Sequence, residues 1–346
     1  MSTIEFPSRR LVFRADGNAT IGLGHLVRLL SLAEILRGLA PGVFVVRAPT
    51  AAVAQLVQEA GWALQALPAG QPLALEANWL ASRFLQPDDV VLLDGYEFDS
   101  AYQQRLRQQA SALVYIDDLR AWPVAADVLI NHSPGVALAN YQAPAVTQLL
   151  LGPAFSLLRP PFLAAAALPQ PAAAITSAVV CFGGADPLGL TARTLAALLA
   201  LPPVQRVSLV VGGAFGDADA LHALMAGHPN RLIRLHRNVG AAELVGLLQA
   251  HDVAVVPAST VLIEALVLGR PALTGYYVPN QESLAAYVHA HQQAFSVGNF
   301  ADLADESLAA ALRQGLAFLA TQPRQPYVAQ PRPDLIRAAV QHLLSR

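Results

Sequence analysis

Near-continuous apolar runs recur along this chain, each followed by a stretch long enough for a helix. That alternation limits the fold more than any other feature. In the first half the runs are "LVFRAD" (11–16), "VFVVRA" (43–48), "VVLLD" (90–94), "LVYIDD" (113–118), "VLIN" (128–131) and "QLLLG" (148–152). A Pro- and Ala-rich stretch, "RPPFLAAAALPQPAAAITSA" (159–178), reads as a linker. The pattern then restarts with "AVVCFGG" (178–184), "RVSLVVGG" (206–213), "RLIRLH" (231–236), "VAVVPA" (253–258) and "PALTGYY" (271–277). Strands that are apolar on both faces and alternate with helices belong to parallel sheets covered on both sides. The predicted fold class is therefore α/β, with two Rossmann-like doubly wound domains facing a cleft. The expected boundaries are 1–160 for the first domain, 175–320 for the second, and 321–346 for a last amphipathic helix whose docking partner is not readable. A length of 346 residues suits two cores better than one.

Composition narrows the chemistry. Hydrophobic content of 54% with 13% charged residues excludes a disordered chain, and a net charge of −2 gives no electrostatic reason to expect nucleic acid. No apolar run reaches the roughly 18–20 residues that a membrane span needs. The start, "MSTIEFPSRRLVF", lacks the apolar core of a signal peptide. A soluble, cytoplasmic, monomeric protein is expected. The single cysteine, Cys181, allows neither an internal disulfide nor a cysteine-based metal cluster. All 22 basic residues are arginine. A P-loop lysine, a Schiff-base lysine and a pyridoxal-phosphate enzyme are thereby excluded.

Open parallel sheets bind ligands beyond the carboxyl ends of their strands. Polar or small residues fall at many such ends here: Asp16, Asp94, Asp117, Asp118, Asn131, the Gly183–Gly184 pair and Ser259–Thr260. In "RADGNATIGLGHLVR", Gly22 and Gly24 would let backbone approach a ligand. The third glycine of a dinucleotide fingerprint is replaced by Val27, and the next strand ends in "VVRA" without a ribose-binding carboxylate. An NADP site stays open only through Arg47. His25 falls in the first helical turn, where the helix dipole disfavours imidazolium and favours a neutral, proton-accepting ring. Arg28, three residues on, shares that face. In "VVLLDGYEFDS", Asp94 is placed to orient a histidine and Tyr96 to bond a substrate or water, although either residue also suits a loop cap. Asp117 and Asp118 read as caps or as supporting carboxylates.

In the second half, Gly183 and Gly184 follow a strand and admit a planar or phosphate group. Ser259 and Thr260 sit where strand gives way to helix, an anion site of free N–H groups, though Ser259 also suits a plain N-cap. Glu264, a turn further on, suits ribose hydroxyls, and Asn280 and Gln281 in "YYVPNQESL" suit sugar hydroxyls or phosphate. "DAD" (217–219) reads as surface capping and "HAH" (289–291) puts its histidines on different helix faces. No metal site and no cofactor are assigned.

These segments resemble the UDP-2,4-diacetamido-2,4,6-trideoxy-β-L-altropyranose hydrolase family of pseudaminic acid biosynthesis, part of the MurG-like group with the glycosyltransferase B fold. The matching pieces, in family order over about residues 11–295, are "RADGNATIGLGHLVR", "LLDGYEFD", "IDDLRAWPVAADVLIN", "LLGPAFSLLRPPF", "FGGADPLGLT", "ASTVLIEAL" and "VPNQES". The G-x-G-H-x-x-R segment is the most specific, whereas "GGADP" and the Ser-Thr…Glu pattern recur across the superfamily. Ala258 stands where many members carry glycine, and the extension after about residue 300 has no counterpart.

The resemblance implies a sugar site and base in the first domain, with His25 activating water and Tyr96 beside it in the sugar pocket. It implies a UDP site in the second domain from Gly183, Gly184, Ser259, Thr260 and Glu264, with Asn280 and Gln281 near the diphosphate and sugar. Asp16, Gly22, Gly24 and Arg28 complete the expected substrate contacts and Asp94 the catalytic set. The expected reaction is metal-independent hydrolysis of the UDP-sugar at its anomeric C–O bond, with inversion. Its rivals are a glycosyltransferase on the same fold, a UDP-sugar 2-epimerase and a non-catalytic nucleotide-sugar binder.

Overall fold

The computed structural model describes residues 9–17, 23–169, 174–184, 186–213, 215–216, 218–321, 325–327 and 330–346. Its contacts divide the chain into two compact units. Unit 1 is Met1–Leu158 with Gln330–Arg346, and unit 2 is Arg159–Ala329.

Unit 1 holds seven strands: β1 (Leu11–Ala15), β2 (Gly42–Arg47), β3 (Ala63–Leu67), β4 (Val90–Asp94), β5 (Ala112–Ile116), β6 (Val128–Asn131) and β7 (Gln148–Leu151). They form one parallel sheet in the order β3-β2-β1-β4-β5-β6-β7. Chain progression reverses between β1 and β4, where Ala15 pairs with Asp94. Successive side chains on a strand face opposite ways. Phe13, Val90 and Leu92 accordingly join one apolar core, and Val12, Val91 and Leu93 join the other. Burial on both faces explains why these strands read as unbroken apolar runs.

One charge lies inside that apolar sheet. Arg14, on β1, is fully buried. Its Nε donates to Glu76 at 2.8 Å, and its two Nη groups donate to Asp16 at 2.5 and 2.9 Å. Tyr102 Oη donates to Glu76 at 2.7 Å, and Arg47 closes the cluster from β2. A buried guanidinium is tolerable only when its donors are matched in this way.

Unit 2 has a six-stranded parallel sheet made of β8 (Ser177–Val180), β9 (Arg206–Val211), β10 (Leu232–Arg237), β11 (Val253–Val255), β12 (Ala272–Tyr276) and β13 (Phe295–Asn299). Its order is β10-β9-β8-β11-β12-β13, so progression reverses between β8 and β11.

The structure alters or completes the sequence reading at three places. Neither the edge strand β3, a half-exposed run, nor β13 was anticipated. The stretch read as a linker opens with a helix, Pro160–Ala164, whose two prolines fit a helix start and whose Phe162 is fully buried. Ala167 N–H donates to Val267 O at 2.9 Å, so this part is packed, while residues 170–173 lie outside the described residues. The last helix, Pro333–Leu344, docks on unit 1. Ile336, Ala339, Val340 and Leu343 repeat at helical spacing and enter the core beside Leu29 and Leu32. Arg337 donates to the carbonyls of Ile35 and Arg37 at 2.8 and 3.0 Å, satisfying the C-terminal end of the helix Gly24–Ile35.

Candidate active site

At the reversal point of unit 1, β1 leads towards the helix Gly24–Ile35, and β4 ends on Asp94 beside it. Asp94 is completely buried. Arg28 grips it with two N–H groups, Nε to Oδ2 at 2.7 Å and Nη2 to Oδ1 at 2.5 Å, and its Nη1 donates to Asp118 at 2.7 Å. His25 Nδ1 lies 2.8 Å from Asp94 Oδ1. A carboxylate only accepts, so Nδ1 carries the proton and Nε2 is left as the basic nitrogen; this tautomer follows from the partner. The Tyr96 ring stands edge-on to the imidazole, with centroids 4.5 Å apart and planes at 87°. The five side chains come from three segments, His25 with Arg28, Asp94 with Tyr96, and Asp118, and the fold brings them together.

The electrostatics add a second influence on His25. A neutral His25, kept so by the helix dipole, was anticipated. Burial does pull its pKa down, but the hydrogen bond and charge of Asp94 outweigh that and hold it above 6.5. Burial alone would push the Asp94 carboxyl up, yet the Arg28 guanidinium and the His25 contact keep it below the usual carboxylate value. Asp94 therefore stays ionised and strengthens His25 as a base.

His132 is a neighbour that the sequence reading missed. It follows Asn131 at the end of β6, and burial, followed by the Arg28 charge, pulls its pKa down to about 4. Its Nδ1 and Asp118 Oδ1 are both buried without a hydrogen-bond partner among the described residues. Only its position at a strand end, the signal that singled out Asn131, pointed to it.

Other predicted residues are committed to the scaffold. Asp16 is held by Arg14 and by the Arg47 N–H at 2.8 Å. The Arg47 side chain is tied to Glu76, which engages the group that an NADP phosphate would need. Gly24 opens the helix, with open space where a side chain would stand. Gly22 lies outside the described residues, as do Asp217 of the "DAD" string and Ala185 of "GGADP".

Unit 2 repeats the plan at its own reversal point. Gly183 follows β8 with φ +88°, a conformation that favours glycine, and faces open space. Gly184 is pressed against Gly212, where a Cβ would stand 2.5 Å from the Gly184 Cα. Beyond β11, Ser259 is the N-cap residue of the helix Thr260–Val267, but its hydroxyl makes no capping bond. Glu264 is almost fully buried and receives Arg159 Nε and Nη2 at 2.8 and 2.9 Å. Burial raises its pKa despite that pairing. Gln281 turns inward, its Oε1 accepting from the Tyr277 N–H at 3.2 Å, while Asn280 is exposed.

No family model matches this chain. Two proteins are similar in sequence. SpsG, a spore coat polysaccharide biosynthesis protein of Bacillus subtilis, is 24% identical over 298 residues, covering 85% of each chain. The uncharacterized protein MJ1062 of Methanocaldococcus jannaschii is 23% identical over 277 residues, 77% of this chain. The chain spans about half the length of that relative, 55%. Among solved structures, MurG of Acinetobacter baumannii superposes with a TM-score of 0.60 at 14% identity, covering 97% of this chain and 98% of MurG. Alr3699/HepE of Anabaena, solved in complex with UDP, gives 0.55 at 16% identity, covering 97% and 99%. The fold is the glycosyltransferase B fold, two Rossmann-like α/β domains. No helix among the described residues is long and apolar enough to cross a membrane.

Proposed function

We propose that this chain transfers the sugar of a UDP-sugar to a hydroxyl acceptor, with His25 as the base. The observation that carries this reading is the buried Arg28–Asp94–His25 arrangement at the reversal point of the first sheet. The acceptor hydroxyl attacks the anomeric carbon, the C1–O bond to UDP breaks, and the released proton passes to His25 Nε2. Positioned base catalysis of this kind contributes roughly 10²–10⁴-fold. Unit 2 supplies donors for the departing UDP: backbone N–H groups beyond Gly183, the Ser259 hydroxyl and the start of the helix Thr260–Val267. Glu264, oriented by Arg159, takes the ribose hydroxyls. Glycosyl transfer comes first because the similar proteins include MurG, a UDP complex of HepE and a polysaccharide biosynthesis protein.

Water as the acceptor is the second reading. The G-x-G-H-x-x-R segment favours it, with UDP-2,4-diacetamido-2,4,6-trideoxy-β-L-altropyranose as substrate and an inverted free sugar as product. One assay separates the two: UDP release from that compound, with and without EDTA and added sugar acceptors, followed by proton NMR. Release without acceptor establishes hydrolysis, and release only with acceptor establishes transfer. His25→Asn should abolish either one while leaving UDP affinity within about twofold. Near-native turnover in His25→Asn would overturn the base assignment.

A further inference from the structure

A surface pocket of unit 1, lined mostly by exposed residues, connects to His25 through Tyr96. The chain leaves β5 through Asp117, whose carboxylate accepts from the N–H groups of Leu119 at 2.9 Å and Arg120 at 2.9 and 3.1 Å. That turn holds Arg120 at φ +59°, in the left-handed region that favours glycine. Two residues on, the Trp122 indole N–H donates to the Tyr96 carbonyl at 3.0 Å. The facing wall is Asn140, Tyr141 and Gln142. Tyr141 Oη accepts from Asn131 Nδ2 at 2.6 Å, and the Gln142 carbonyl accepts from the Val124 N–H at 2.8 Å. These residues line a cavity of about 160 Å³.

Backbone and side-chain bonds anchor Trp122 and Tyr141, while several binding groups are uncommitted. The Trp122 indole is 41% exposed although its N–H is anchored. Among the described residues, neither the Arg120 guanidinium nor the Gln142 side-chain amide makes a hydrogen bond. The Asn140 amide oxygen is taken by the Ala137 N–H at 2.7 Å, which leaves its NH₂. An anchored aromatic face suits the C–H face of a sugar ring. The free polar groups are mostly donors, and the Asp117 carboxylate is occupied by backbone. A guanidinium with open N–H groups selects carboxylate or phosphate oxygens.

We propose that this cavity binds an acidic saccharide, a hydroxylated ring bearing a carboxylate or phosphate, with the ring on Trp122 and the anion on Arg120. Tyr96 links the cavity to the base, since its carbonyl holds the indole while its ring packs on His25. If glycosyl transfer is the function, a role that rests on the reading above, the acidic saccharide is the acceptor.

Tryptophan fluorescence of the intact chain tests binding alone. Glucuronate, glucose 6-phosphate, glucose and inorganic phosphate are the probes, with calorimetry as a second readout. Both acidic sugars should bind at least tenfold more tightly than glucose or phosphate. Arg120→Gln should remove that preference, as should Gln142→Ala in part, with thermal melting confirming that each variant is folded. Equal binding of glucose and glucuronate, or a preference that survives Arg120→Gln, overturns the proposal. Binding of phosphate as tight as that of the acidic sugars also overturns it, since the cavity is then an anion site only. The two readings fail separately. His25-dependent turnover without Arg120-dependent binding removes the saccharide site, and Arg120-dependent binding with turnover surviving His25→Asn removes the base.

Discussion

Two histidines near one carboxylate pair respond to pH with opposite signs. The His25 pKa lies above 6.5 because Asp94 outweighs the burial of the ring, and the proposed base role needs the unprotonated Nε2. The acid limb of kcat/KM should therefore lie above pH 6.5. Asp94→Asn removes the charge that raises His25, so the limb should move to lower pH while kcat falls. A pH–rate profile checks this, and an unmoved limb would separate Asp94 from the base. His132 behaves oppositely. Its pKa is about 4 in the fold against 6.5 unfolded, so the folded state binds fewer protons between those values. Its contribution to stability is complete above pH 6.5 and is lost as pH falls towards 4. His132→Gln should make stability fall less steeply between pH 6.5 and 4, as read by urea unfolding at pH 7 and pH 5. At this scale the sequence showed His25, Arg28, Asp94 and Tyr96 as candidates from their strand-end and first-turn positions. It hid the upward push on the His25 pKa, which comes from a carboxylate 2.8 Å away but 69 positions distant. It also hid the capture of Asp16 by Arg14, because one buried arginine in an apolar run says nothing of its partners.

At the scale of elements, the turn from β11 into the helix Thr260–Val267 separates a structural from a ligand-binding serine. An N-cap serine that bonds its helix costs about 1 kcal/mol when replaced by alanine. The Ser259 hydroxyl makes no such bond. Ser259→Ala should thus leave the melting temperature nearly unchanged. If the hydroxyl meets a UDP phosphate, the same change should weaken UDP about 10-fold or more, the worth of a hydrogen bond to a charged group. Thermal melting with UDP calorimetry reads both, and a destabilised variant with native UDP affinity would make Ser259 a cap after all. The central strands were legible because burial on both faces writes an unbroken apolar run. Strand β3 was not, since a sheet edge carries a weaker pattern, and its Ala63, Leu64 and Gln65 are only partly buried.

At the scale of the molecule, both sheets place their candidate residues at the point where strand order reverses. His25 and Asp94 flank the β1–β4 neighbours, and the Gly183 loop and Ser259 flank the β8–β11 neighbours. Adjacent strands whose helices leave to opposite sides open a crevice at their carboxyl ends, so the alternation of runs was enough to mark these strand ends as the candidate positions. The return of the chain was not legible. The final helix shows an apolar face in sequence, but its complement is the helix Gly24–Ile35, far back along the chain. Because that helix carries His25 at its start and accepts Arg337 at its end, the last helix props the element that positions His25. Ile336 is fully buried there, and Ile336→Ala should cost about 2–5 kcal/mol. The loss belongs to unit 1, which contains both chain ends, and not to unit 2. Thermal unfolding of Ile336→Ala should show an early transition, with turnover lost across it and UDP binding persisting beyond it. Loss of turnover and UDP binding in a single transition would mean that the two units unfold as one and that the last helix supports both.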